Sequence, residues 1–161
     1  MSYKIMILAP SAGGKSTLMR YLREHTDLHV AETDEEVVKA NNNEWPKDDD
    51  YKNNVLIPKT TNEIISRDEV IYLMKDIPEP LLRKARSNGF KVIVLKLTLD
   101  QLLERNQKRM KEEGYDDATQ WFKGQLDELD RLSKDELVDD YIDGNFPTEQ
   151  IADKVVKLAE N

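Results

Sequence analysis

Cysteine is absent from the 161-residue chain. Disulfides, thiolate zinc sites and cysteine nucleophiles are thereby excluded. Long apolar runs are absent as well, and no stretch approaches the roughly 20 residues that span a bilayer. Tyr3-Lys4 leads into five consecutive apolar residues, Ile5 to Ala9, before Pro10. That is short of the roughly 7–15 of a secretory h-region, so a cytoplasmic location is the expectation. A basic excess is missing too. The formal net charge is −8, and Lys111 to Asp140 carries most of it, with eleven acidic side chains against four basic ones. Nonspecific nucleic-acid binding, which clustered Lys and Arg drive, is disfavoured, although a local basic groove stays open. Repeats and domain linkers are lacking, and the length suits one compact domain over residues 1–161.

What is present is an alternation of strands and helices. Tyr3 to Leu8, Leu28 to Ala31, Val70 to Met74, Lys91 to Leu97 and Asp140 to Asp143 read as strands. Helices are expected over Lys15–Glu24, from Asp34 to Ala40, and over Thr61–Arg67 and Glu79–Asn88. Three more are expected over Leu99–Glu113, Ala118–Leu132 and Thr148–Glu160. Thr98 is a suitable N-cap, while Gly89 and Gly114 are suitable stops. Asn41 to Asn54 is polar, with Asn and Asp runs and Trp45-Pro46, and reads as an exposed irregular excursion. This order predicts an α/β fold with a parallel sheet, helices on both faces and right-handed crossovers. A ligand crevice belongs at the carboxyl ends of its strands.

Ala9-Pro10-Ser11-Ala12-Gly13-Gly14-Lys15-Ser16-Thr17 follows the first strand and opens the first helix. It matches G-x-x-x-x-G-K-[ST] except that Ala9 replaces the first glycine. Small residues let backbone N–H groups turn inward as an anion nest. Gly14 allows close backbone approach to phosphates. Lys15 suits the β- and γ-phosphates, Ser16 a magnesium ion. The helix that follows aims its positive end at the same point. Ser11, Ala12, Gly13, Gly14, Lys15, Ser16 and Thr17 are therefore the candidate nucleotide-binding residues.

On this loop the chain resembles the small P-loop kinases, a group including nucleoside monophosphate, shikimate and gluconate kinases and the kinase domain of polynucleotide kinases. The resemblance implies a three-layer P-loop sandwich with strand order 2-3-1-4-5 and a helical lid, here within 105–132. It also implies ATP and Mg2+ as donor and cofactor. Glu32-Thr33-Asp34 follows the second strand, where such kinases carry acids that activate the acceptor hydroxyl or hold magnesium. By position Asp34 is the candidate base and Glu32, with Ser16, the candidate magnesium residue. An equal alternative is that Asp34, Glu35 and Glu36 simply suit a helix N-terminus. Arg105-Asn106-Gln107-Lys108-Arg109 resembles the lid pattern of polynucleotide kinases. Arg105 and Arg109 share a helix face and suit a phosphoryl clamp, or else a solvated basic face. Together with Lys15, these are the candidate catalytic residues.

Tyr141 to Pro147 is where the resemblance places the border of the adenine site, with Gly144 permitting the turn and Phe146 available to cover the base; a plain strand–helix turn is nearly as good a reading. Trp121-Phe122 reads as lid packing, and His25 and His29 as surface residues. Trp45 either stacks on a flat acceptor, making 41–60 the acceptor-binding excursion, or packs on a neighbouring helix. One departure stands out: Val70–Met74 is followed by Lys75-Asp76, so no acid ends the third strand directly. The functional expectation is an ATP-dependent kinase transferring the γ-phosphoryl group to a hydroxyl or phosphate of a nucleoside or nucleotide. Its alternatives are a nucleic-acid acceptor (a 5′-hydroxyl end or a modified-base hydroxyl) and a regulatory P-loop ATPase.

Overall fold

The computed structural model describes residues 2–160. Strand β1 (Tyr3–Leu8) leads to helix α1 (Lys15–His25), then β2 (Val30–Glu32) and α2 (Thr33–Ala40). A helical run follows, made of α3 (Asp49–Tyr51), a π turn (Lys52–Leu56) and α4 (Ile57–Ile65). The remainder is β3 (Glu69–Met74), α5 (Glu79–Ser87), β4 (Lys91–Lys96), α6 (Leu99–Glu113), α7 (Thr119–Lys134), β5 (Asp140–Asp143) and α8 (Thr148–Glu160). The five strands form one sheet in the order β2-β3-β1-β4-β5, with every pairing parallel. This is the α/β P-loop arrangement that the strand–helix alternation and the resemblance implied.

Side-chain alternation along the strands builds two cores. Met6 and Leu8 of β1 join Tyr72, Met74, Val92 and Val94 on one face, against Ile64 of α4, Leu82 of α5 and Leu129 of α7. Ile5 and Ile7 join Ile71, Leu73, Ile93 and Leu95 on the other, against Leu18 and Leu22 of α1 and Val155 of α8. Because both faces are covered, the strands read as continuous apolar runs. β1 is the central strand, so its carboxyl end delivers Ala9 and the loop after it to the middle of the crevice.

The structure departs from the sequence reading between residues 41 and 65. The polar excursion is helical from Asp49 onward, because the Asp48 carboxylate accepts from the backbone N–H of Asp50 and Tyr51 and caps the turn. The helix expected from Thr61 begins at Ile57 and continues the run before it. Pro58 sits in its first turn, where a missing N–H is tolerated. Immediately ahead, Ile57 N donates five residues back to Lys52 O, forming the π turn. The second strand starts two residues later than expected and ends one later, on Glu32, which enters the sheet opposite Leu73. No helix among the described residues is long and apolar enough to cross a membrane.

Candidate active site

The phosphate loop joins β1 to α1. Gly14 is the N-cap of α1 with φ 91°, a region that favours glycine. A Cβ on Gly13 would lie 2.7 Å from Pro10 O, so this position is closed to any side chain. Ala9, in place of the first glycine, is fully buried, and its N donates to Met74 O at 3.1 Å. Besides Gly14, the left-handed position of the loop is Ala12, with φ 62°. Alanine is thus accommodated at position 9, and the strain falls three residues later.

Lys15 Nζ donates to Ala9 O and Pro10 O, both at 2.9 Å. Desolvation pulls its pKa down from 10.5 to about 8, outweighing the attraction of Glu32 and Asp34. Ser16 Oγ donates to the Glu32 carboxylate at 3.1 Å. Glu32 is only 8% exposed, and burial raises its carboxyl above the usual range despite the Ser16 bond. Thr33 and Asp34 form the first turn of α2 directly beyond it. Asp34 acts electrostatically on both Lys15 and Glu32. The carboxylate bonded to the loop hydroxyl therefore comes from β2. Asp76, after β3, is exposed and lines the same cleft.

The cleft measures about 1130 Å³. Ser11 to Thr17, Glu32, Asp34, Arg105 and Arg109 all line it, so every candidate site residue is brought together. A second wall holds Val37, Trp45, Lys52 and Ile57, and a third holds Trp121, Gly124 and Gln125 of α7. The chain's two tryptophans both face this space, Trp45 at 50% and Trp121 at 58% exposure. Lys52 Nζ sits 5.2 Å above the Trp45 ring. Trp121 therefore lines the cleft, whereas its neighbour Phe122 is buried with Leu97 and Leu102. Phe146 does not line the cleft and lies under Lys154 Nζ at 5.1 Å. A separate hollow of about 450 Å³ at Arg83, Arg86 and Phe90 shares no residue with the cleft. Its arginines are engaged by Glu79 and Asp139.

The Arg105–Arg109 segment is anchored by backbone carbonyls and one amide. Arg105 donates to Gly144 O at 2.7 Å and to Ala12 O at 3.5 Å. Arg109 lies over the Tyr115 ring at 4.1 Å. Asn106, between them in sequence, is 3% exposed. It donates to Asp117 Oδ1 and Thr119 Oγ1 and accepts from Ala118 N, stitching α6 to the start of α7. Gly144 accepts no side chain for a packing reason, since a Cβ would lie 2.8 Å from Leu97 Cγ; its backbone has no positive φ. Gln125, which no sequence motif marks, bonds twice to Ser11. The available signal was a polar residue flanked on α7 by the buried Phe122 and Leu129 at positions i−3 and i+4.

Hard oxygen donors at Ser16 and Glu32 fit a magnesium ion, which is commonly held by one or two protein oxygens plus substrate phosphates. Among the described residues no three His, Cys, Asp or Glu side chains converge into a protein-only metal cage. The glycine-rich loop, Lys15 and the start of α1 fit a polyphosphate.

No family model and no curated protein matches the chain. Solved structures do. Shikimate kinase from Acinetobacter baumannii, in complex with shikimate, superposes with a TM-score of 0.76 at 19% identity, covering 98% of this chain and 93% of that one. Shikimate kinase from Bacteroides thetaiotaomicron gives 0.75 at 12% identity with both chains fully covered. A gluconokinase from Sinorhizobium meliloti gives 0.62 at 17%, covering 99% and 95%. At these identities the likeness is one of architecture: the chain has the fold of the small P-loop kinases.

Proposed function

We propose that the chain is an ATP-dependent kinase that uses Mg2+ to transfer the γ-phosphoryl group to a hydroxyl of a small molecule. The observation that carries this reading is the Ser16–Glu32 pair at the mouth of the phosphate loop, with Asp34 two residues beyond Glu32 in the same cleft. When bound, magnesium supplies positive charge to the phosphates. Ser16 and Glu32 are the residues that would hold it. The loop amides and Lys15 bind and neutralise the donor phosphates. Asp34 takes the acceptor proton or orients the hydroxyl. Arg105 and Arg109 line the cleft and would stabilise the spreading phosphoryl charge. Residues 105–132 serve as the lid, and residues 41–60 form the acceptor wall.

For the acceptor we favour a nucleoside or nucleotide, because the half-exposed Trp45 offers a flat stacking face inside the cleft. A polymer end fits less well with a net charge of −8. Three of the structures sharing the fold are named for shikimate, gluconate and sugar chemistry, so hydroxy acids and sugars belong in the same trial. The test is transfer from labelled ATP to nucleosides, nucleotides, nucleic-acid ends, sugars and hydroxy acids. Turnover that needs one of these acceptors supports the kinase, whereas acceptor-independent hydrolysis favours a regulatory ATPase.

A further inference from the structure

The tip of the phosphate loop is held from outside. Ser11 N donates to Gln125 Oε1 at 2.8 Å, and Gln125 Nε2 donates to Ser11 Oγ at 3.0 Å. Two antiparallel bonds thus close a ring between the loop and α7, across 114 residues of sequence. The next residue, Ala12, has φ 62°, a left-handed conformation that a Cβ disfavours. Its carbonyl accepts from Arg105, and its side chain packs on the Leu97, Leu102 and Phe122 cluster. Strained backbone of this kind persists only where the surroundings over-determine it. Here those surroundings are α6, α7 and the end of β4.

We infer that Gln125 is a positioning residue for the donor site. By holding both the amide and the hydroxyl of Ser11, it keeps Ala12 left-handed and fixes the backbone path through Gly14 into α1, where phosphate would bind. The inference rests on reading the loop as a nucleotide site. Gln125 acts through the loop rather than on the reacting atoms, so its effect falls on nucleotide affinity.

The experiment is calorimetric titration of Mg·ATP into the unmodified protein, Gln125→Ala, Ala12→Gly and the double variant. Gln125→Ala is expected to raise Kd about tenfold, the effect of losing a two-bond contact. In the Ala12→Gly background the same change is expected to raise Kd less than about threefold, because glycine adopts the left-handed conformation freely. A purely structural loss would not shrink in this way. Ser11→Ala removes only the hydroxyl half of the ring. It is expected to raise Kd about threefold, and it replaces Gln125→Ala in the comparison if that variant does not fold. An unchanged Kd overturns the inference, as does a loss that persists undiminished in the Ala12→Gly background. Failure of the unmodified protein to bind ATP or GTP refutes the donor-site reading and the inference with it. Tight binding by both the unmodified protein and the Gln125 variant refutes the inference alone.

Discussion

Ser16 and Glu32 meet through a hydroxyl–carboxylate hydrogen bond of 3.1 Å between the first turn of α1 and the last residue of β2. The contact leaves a carboxylate in a desolvated position where its charged form is disfavoured. Glu32→Gln keeps the shape and removes that charge. A carboxyl whose folded pKa lies above its unfolded value retains its proton longer in the folded protein. Glu32 therefore lowers stability as pH rises from about 4.5 through its raised pKa. Glu32→Gln is expected to unfold at a higher temperature than the parent at pH 8, with the gap closing near pH 4.5. Phosphoryl transfer at limiting magnesium is expected to fall roughly tenfold or more, with partial recovery at high magnesium. Thermal unfolding at two pH values and a magnesium titration check both halves.

Lys15 carries a second pH signature. Its pKa near 8 lies below the unfolded value of 10.5. Between these values the unfolded chain binds the extra proton, so this group adds to stability as pH rises through that window. Bound phosphates favour the ammonium form. Nucleotide binding at pH 8–9 is therefore expected to take up a proton, and affinity to weaken progressively above pH 8. Titrations in two buffers of different ionisation enthalpy measure the uptake. Lys15→Met should show none, and pH-independent affinity in the parent would count against the assignment.

Asp34 is separable from nucleotide binding. Asp34→Asn is expected to lower transfer by about 10²–10⁴, the range for a lost general base. Its Kd for Mg·ATP should stay within about threefold of the parent, because Asp34 makes no hydrogen bond to the phosphate loop among those described. Single-turnover transfer beside equilibrium binding checks this, and equal losses in both would remove the base role.

Asn106 is a stability prediction. Its amide satisfies Asp117, Thr119 and Ala118 N from a buried position. Asn106→Ala removes these bonds and leaves Ala118 N without its acceptor, and is expected to cost about 1–3 kcal/mol in urea unfolding. A change under about 0.5 kcal/mol would mean that the α6–α7 junction is held by Leu102 and Phe122 alone.

The legible and illegible parts of the site differ in physical kind. Gly13 to Thr17 could be read because a backbone nest demands particular residue types in unbroken sequence. Glu32 and Asp34 could be read because they follow a strand at the crevice edge. Asp48 concealed a helical run, since it reads as a residue of the polar excursion, whereas it caps the first turn, and Pro58 lies in the first turn of α4. In the Arg105 segment the charges drew attention, but Asn106 makes the most bonds. Gln125 lies in an acidic helix with no motif around it, and Trp121 in the same helix reads as lid packing; the packing of α7 beside the loop shows that both face the cleft. Ala12 carries no sign in the sequence that its backbone is left-handed, since alanine ordinarily avoids that region.

The most direct measurement is ADP formation from Mg·ATP by the unmodified protein and by Lys15→Ala, with and without each member of the acceptor panel. A kinase of this kind forms ADP only with one small hydroxyl-bearing acceptor, matched by labelled phosphate on that acceptor. Lys15→Ala should abolish both while its thermal unfolding stays cooperative. Acceptor-independent hydrolysis with no labelled product, or full transfer by Lys15→Ala, would contradict it.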